Sequence, residues 1–138
     1  MRRLALLIVA GVALAGCGGS SSNNDAQSQI KSAYEKFFSG QSSVADRVAV
    51  LQNGPKFKSV VQSFANNPLA KNVKVTVSSV KLQGADKANV VYTVSLGSAA
   101  LPKQNGTAVR ESGKWKVGYA SLCRLVALQG PAPPACAP

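Results

Sequence analysis

Around Ala70 the hydrophobic period of this chain changes from about 3.6 residues to 2, and few folds accommodate both halves. Upstream, Ile30, Ala33, Tyr34, Phe37 and Phe38 recur at helical spacing with Lys31, Ser32, Glu35 and Lys36 between them, which predicts a helix over Asp25–Ser39. Asn24 or Asp25 caps its start and Gly40 ends it. Ser43 three residues before Asp46 reads as a capping box ahead of Val44, Val48 and Leu51, with Asn53-Gly54 as the stop. A third helix starts at Pro55, carries Phe57, Val60, Val61 and Phe64, and breaks at Asn66-Asn67-Pro68.

Downstream, Val73, Val75 and Val77 alternate with Lys74, Thr76 and Ser78, after which the apolar phase slips to Val80 and Leu82. The slip predicts a bulge or bend at Ser78-Ser79. Gln83 to Asp86 reads as a turn, and Val90, Tyr92, Val94 and Leu96 form a second strand, antiparallel to the first. Gly97 to Gln104 is a crossing loop, followed by a hairpin of Gly106–Glu111 and Lys114–Ala120 around Ser112-Gly113. Trp115, Val117 and Tyr119 share a face of its last strand, and Leu122, Leu125 and Val126 mark a short helical turn carrying Cys123. The expected fold is α+β: three N-terminal helices packed on the concave face of a curved antiparallel sheet of about four strands.

The first residues carry an address. Arg2 and Arg3 precede an apolar run from Leu4 to Ala15, and Leu14-Ala15-Gly16-Cys17 closes it as a bacterial lipobox. The run falls short of the roughly 20 residues needed to cross a bilayer. Residues 1–16 are therefore expected to be a cleaved signal peptide, and Cys17 the lipidated N-terminus of a protein held on the extracytoplasmic face of the cell membrane, retained there or shed. Two or three acyl chains give stable attachment, where one binds only marginally. Residues 17–24, rich in Gly, Ser and Asn, read as a flexible tether reaching at most about 25 Å. Residues 25–130 form the domain, and residues 131–138 a proline-rich tail.

Charge and cysteines narrow the class further. The whole chain carries +11, and loss of Arg2 and Arg3 leaves 14 Lys and Arg against five acids, or +9. Such a surface favours anionic envelope partners, lipid or polymer. Nucleic acid is not expected, because the lysines are scattered and lack interleaved aromatics. With Cys17 assigned to lipid, Cys123 and Cys136 remain as one disulfide in an oxidising compartment, pinning the tail to the domain. There is no histidine to activate a thiol.

The ordered set "SAYEKFFSG", "VAVLQNG", "VVYTVSL", "GKWKVGYASLC" and a closing cysteine resembles the mycobacterial low-molecular-weight secreted antigen family over nearly all of the mature chain. The resemblance implies a cystatin-like or NTF2-like cone, an actinobacterial envelope location and no established enzyme activity. NTF2-like enzymes place a carboxylate with tyrosines or histidines inside the cone, a pattern from which this chain departs. Its five acids read as helix-start, helix-face and turn residues, so no catalytic residue, metal ligand or cofactor is expected.

Two non-catalytic functions fit. In the first, Phe37, Phe38, Phe64, Tyr92 and Trp115 wall a pocket of roughly 300 Å³ or more for an apolar envelope molecule. In the alternative the cone is filled, and Lys56, Lys58, Lys74, Lys81, Lys114 and Lys116 meet anionic lipid, cell-wall polymer or protein.

Overall fold

Apolar alternation over ten residues builds β1 (Val73–Leu82), the first strand of an antiparallel sheet in the computed structural model, which describes residues 19–127 and 130–137. It pairs with β2 (Lys87–Leu96), which also receives the two-residue β3 (Ala99–Ala100) and then β4 (Gln104–Glu111); β5 (Lys114–Val117) completes the order β1-β2-β4-β5. The predicted bulge is present. Val77 faces Tyr92 and Ser79 faces Val91, so Ser78 is the extra residue. Without it, Val80 and Leu82 would turn away from the core. Between β4 and β5, Ser112 (φ 51°) and Gly113 (φ 76°) both take left-handed conformations, as a tight twisted hairpin requires.

The helical half lies across the concave face. α1 (Gly19–Phe38) buries Ala26, Ile30, Ala33, Tyr34, Phe37 and Phe38, one stripe at spacings of three and four. It meets Val90, Tyr92, Val94, Ala108 and Val117 from the sheet. α2 (Val44–Ala49) starts at the expected cap: the Ser43 hydroxyl accepts from the Asp46 N–H at 3.1 Å and donates to the Asp46 carboxylate at 2.9 Å. α3 (Lys58–Ala65) and α4 (Tyr119–Ala127) complete the helices among the described residues. Among them none is long and apolar enough to cross a membrane.

Four boundaries differ from expectation. α1 begins at Gly19 instead of Asp25, so the segment read as a flexible tether is helical as far back as it is described. Once a packed helix is nucleated, each added residue gains a hydrogen bond at little cost. The third helix is divided: Gly54–Phe57 winds as a 3-10 turn that brings Phe57 into the core before α3 starts. β3 falls within the predicted crossing loop; two residues carry no periodic signal. The last strand ends at Val117, and Tyr119 opens α4 and stacks on Phe57 at 5.6 Å instead of sharing the face of Trp115.

Both sheet edges are managed. Along β5, the Val117 N–H donates to the Val50 carbonyl at 2.8 Å and the Gln52 N–H to the Val117 carbonyl at 2.9 Å. Along β1, exposed Lys74 and Lys81 and the bulge discourage strand addition.

Candidate functional site

The cone could work through its interior, through its open end or through its outer surface. Inside, α1 presents Tyr34, Phe37 and Phe38 to Tyr92 of β2. Ring centroids lie 5.0 Å apart for Tyr34–Tyr92, 5.5 Å for Phe38–Tyr92 and 5.0 Å for Phe37–Phe38. These rings interlock and fill the space. The cavity bordered by Phe37, Phe38, Phe64 and Leu122 holds about 20 Å³, enough for one water. The expected ligand pocket is therefore not formed. Phe37, Phe38 and Tyr92 are core, Phe64 is half-buried at the edge of that small void, and Trp115 stands apart at the open end of the cone. Side-chain volume is the reason: four aromatic rings fill the midsection, leaving no lined chamber.

A closed ring of hydrogen bonds sits at the aromatic cluster. The Tyr34 hydroxyl donates to the Thr107 carbonyl at 2.7 Å, and the Thr107 N–H donates to Ser121 Oγ at 3.0 Å. Tyr34 and Ser121 hydroxyls are 3.0 Å apart. With Tyr34's proton spent on Thr107, Ser121 donates to Tyr34, so every proton in the ring has an acceptor. Glycine is required beside it. A Cβ on Gly106 would lie 2.5 Å from the Tyr34 hydroxyl and 2.7 Å from Ser121 Oγ. Burial pushes the Tyr34 phenol far above its ordinary range and that of Tyr92 up to about 12. Both stay protonated at neutral pH.

Arg47 is the functional-type residue that sequence reading missed. It sits on α2, 2 % exposed, with its guanidinium 5.6 Å over the Phe64 ring and one Nη donating to the Ser39 carbonyl at 2.7 Å. Its Nε and other Nη have no partner. Desolvation lowers its pKa. The bond to Ser39 places a cation just beyond the C-terminus of α1, where the helix dipole favours it. No local signal pointed to this, since Arg47 directly follows the acidic Asp46 on a six-residue helix and reads as an ordinary polar position.

Among the described residues, no group of three or more His, Cys, Asp or Glu side chains could hold a metal ion. The profile of the low molecular weight antigen MTB12, C-terminal domain, matches residues 23–133. The chain belongs to the MTB12 antigen family. The fold is similar to that of an NTF2-like protein of unknown function from Methylobacillus flagellatus KT, with a TM-score of 0.54 at 15 % identity over 72 % of this chain and 90 % of the other. An NTF2-like protein from Campylobacter jejuni, described as a candidate transpeptidase, gives a TM-score of 0.43 at 13 % identity over 72 % of this chain and 98 % of the other. The first of these supports an NTF2-like α+β cone. No curated protein matches the chain. Membership in an antigen family is consistent with an exported, extracellular protein.

In this MTB12-family chain the basic positions do not form one patch. Lys56 and Lys58 lie where the 3-10 turn passes into α3, Lys74 and Lys81 on β1, and Lys114 and Lys116 on β5 at the opposite edge of the sheet. Five of the six are exposed; Lys116 is half-buried and paired with Glu111 at 3.2 Å. Cys123 on α4 and Cys136 are joined, with Cα atoms 5.6 Å apart. Cys17 lies outside the described residues.

Proposed function

We propose that this protein is a lipid-anchored, non-catalytic interaction module that works from its outer surface at the cell envelope and carries no apolar cargo inside. The observation that carries this reading is the filled midsection: about 20 Å³ remains among Phe37, Phe38, Phe64 and their neighbours, far below the roughly 300 Å³ of a small-molecule site. The +9 charge expected after loss of residues 1–16, with exposed lysines on both sheet edges and at the start of α3, supports contact with anionic lipid or envelope polymer. The interior phenols are held protonated by burial and have no carboxylate in their hydrogen-bond ring, which supports a non-catalytic role. The Leu14-Ala15-Gly16-Cys17 motif supports anchoring through Cys17.

Intact-mass analysis of protein extracted from its native membrane tests the anchor; an acylated N-terminal Cys17 is expected, and an unmodified Met1 would overturn it. Sedimentation with anionic vesicles tests the surface, using the chain from residue 17 with Cys17→Ser. Binding should fall steeply as salt rises from about 0.01 to 0.5 M, since screening shortens the reach of exposed charges to a few ångströms. Salt-independent binding, or a stoichiometric apolar lipid in the extracted protein, would sink the reading.

A further inference from the structure

The cone is filled at its middle but not at its end. Where the β1–β2 and β4–β5 turns come together beside the first turns of α1, an open cavity of about 320 Å³ remains. That volume falls in the range of small-molecule sites. Its floor is apolar, made by nearly buried Trp115 and Ala26 with half-buried Leu82. Its rim is charged: Asp25 on α1 and Arg110 on β4 both line it. Arg110 pairs directly across the hairpin with Trp115, so guanidinium and indole rise from the same face.

The two rim charges are not used on each other. Among the described residues the ion pairs are Lys31–Glu35, Lys36–Asp46 and Lys116–Glu111, and neither Asp25 nor Arg110 belongs to one. The Arg110 side chain and the Trp115 N–H likewise have no hydrogen-bond partner there. A cation and an anion held apart over an aromatic floor fit a ligand that carries both signs. The planar guanidinium fork matches phosphate oxygens, and a carboxylate accepts from an ammonium group. The cavity also lies at the end of α1 that leads back to Cys17: from Ala26 to Gly19 the helix rises about 10 Å. An acylated Cys17 would hold this end of the cone at the bilayer, where tryptophan is favoured at headgroup level.

We propose that the open end of the cone binds the phosphate–amine headgroup of a zwitterionic phospholipid, with Arg110 on the phosphate, Asp25 on the ammonium and Trp115 beneath. This deepens the membrane-surface reading above and rests on it for the source of the ligand. Atoms are only bound, and no bond is made or broken.

Trp115 is the single tryptophan of the chain, so its emission reports the site directly. The chain from residue 17 carrying Cys17→Ser is titrated with glycerophosphoethanolamine, the soluble headgroup. A saturable emission change is expected, and Arg110→Gln and Asp25→Asn should each weaken binding by about tenfold or more, equivalent to about 1.4 kcal/mol. Lys71→Gln, just before Val73 at the opposite end of β1 from Leu82, should bind as the parent does. Equal urea midpoints confirm that these exposed substitutions leave the fold intact. Asp25→Asn separates this proposal from general surface attraction: it removes one negative charge and so raises the net charge by one, so anionic-vesicle binding holds or strengthens while headgroup binding falls.

The lipid source has its own arm, in which vesicles of phosphatidylethanolamine at high salt should change the same emission. If only the free headgroup bound, the lipid assignment would be wrong. Glycerophosphoglycerol or glycine binding as tightly as glycerophosphoethanolamine would overturn the phosphate–amine pairing. An absence of saturation, or unaltered binding by both rim variants, would overturn the site altogether.

Discussion

Replacing Tyr34 with Phe removes one oxygen from the centre of the fold and leaves the ring stack against Phe38 and Tyr92 in place. Two hydrogen bonds are lost, one to the Thr107 carbonyl and one from the Ser121 hydroxyl. They are not equivalent. The Thr107 carbonyl still accepts from the Gly118 N–H at 2.8 Å, so its loss is an ordinary net hydrogen bond of about 1 kcal/mol. Ser121, 1 % exposed, is left with a hydroxyl proton and no acceptor, which costs about 1–2 kcal/mol more. The expected total is about 2–3 kcal/mol.

Ser121→Ala orphans the Thr107 N–H and should cost about 2 kcal/mol. Because both single variants break the same Tyr34–Ser121 bond, the double variant should cost about 1 kcal/mol less than their sum. Urea denaturation followed by Trp115 fluorescence measures all three, with the denaturant slope unchanged if only stability moves. A Tyr34→Phe variant within about 0.5 kcal/mol of the parent, or strict additivity of the pair, would refute the closed ring.

Other predictions follow from single features. Arg47→Met keeps a long apolar stem over Phe64 and removes two unpartnered buried donors, so its urea midpoint should equal or exceed the parent's; a loss above about 1 kcal/mol would mean the Ser39 bond outweighs the desolvation. Tyr34 and Tyr92 hold their protons to higher pH when folded, whereas an unfolded phenol titrates near 10. The native state thus binds more protons above pH 10, and stability, complete below that pH, should fall as pH climbs from about 10 to 12. Alkaline circular dichroism should lose helix as buried tyrosinate absorbance grows, and tyrosinate forming fully within an intact fold would contradict this. Reducing Cys123–Cys136 opens a link across 13 positions and should cost up to about 3 kcal/mol in urea, whereas an unchanged midpoint would show that the tail contributes nothing.

Local pattern made much of the framework legible. The Ser43–Asp46 cap, the Ser112-Gly113 turn and the slip from Val77 to Val80 each depend on neighbours within a few residues, and all three stand in the structure as read. Pattern misled where the chain turned a corner. Trp115, Val117 and Tyr119 alternate as a strand would, but the Gly118 N–H bonds back to the Thr107 carbonyl and Tyr119 swings onto Phe57. Arg47 reads as one more polar residue on a short helix; burial came from Phe64 and the end of α1, brought to it by the fold.

The site shows the same division. Periodicity marked Phe37, Phe38, Tyr92 and Trp115 as inward residues, and each of them is buried. Whether inward means packed or hollow is a matter of volume, which depends on how far α1 stands from the sheet. Charge could be summed from composition, yet its division between two sheet edges and α3 followed from strand order. The sequence alone therefore determined the period of each half, the turns and caps, the basic character and the family resemblance, because those signals act over a few residues or need no geometry. Tertiary structure alone decided that the cone is filled, that residues 34, 107 and 121 close a hydrogen-bond ring, and that Asp25 and Arg110 face one cavity, because these depend on segments brought together from distant parts of the chain.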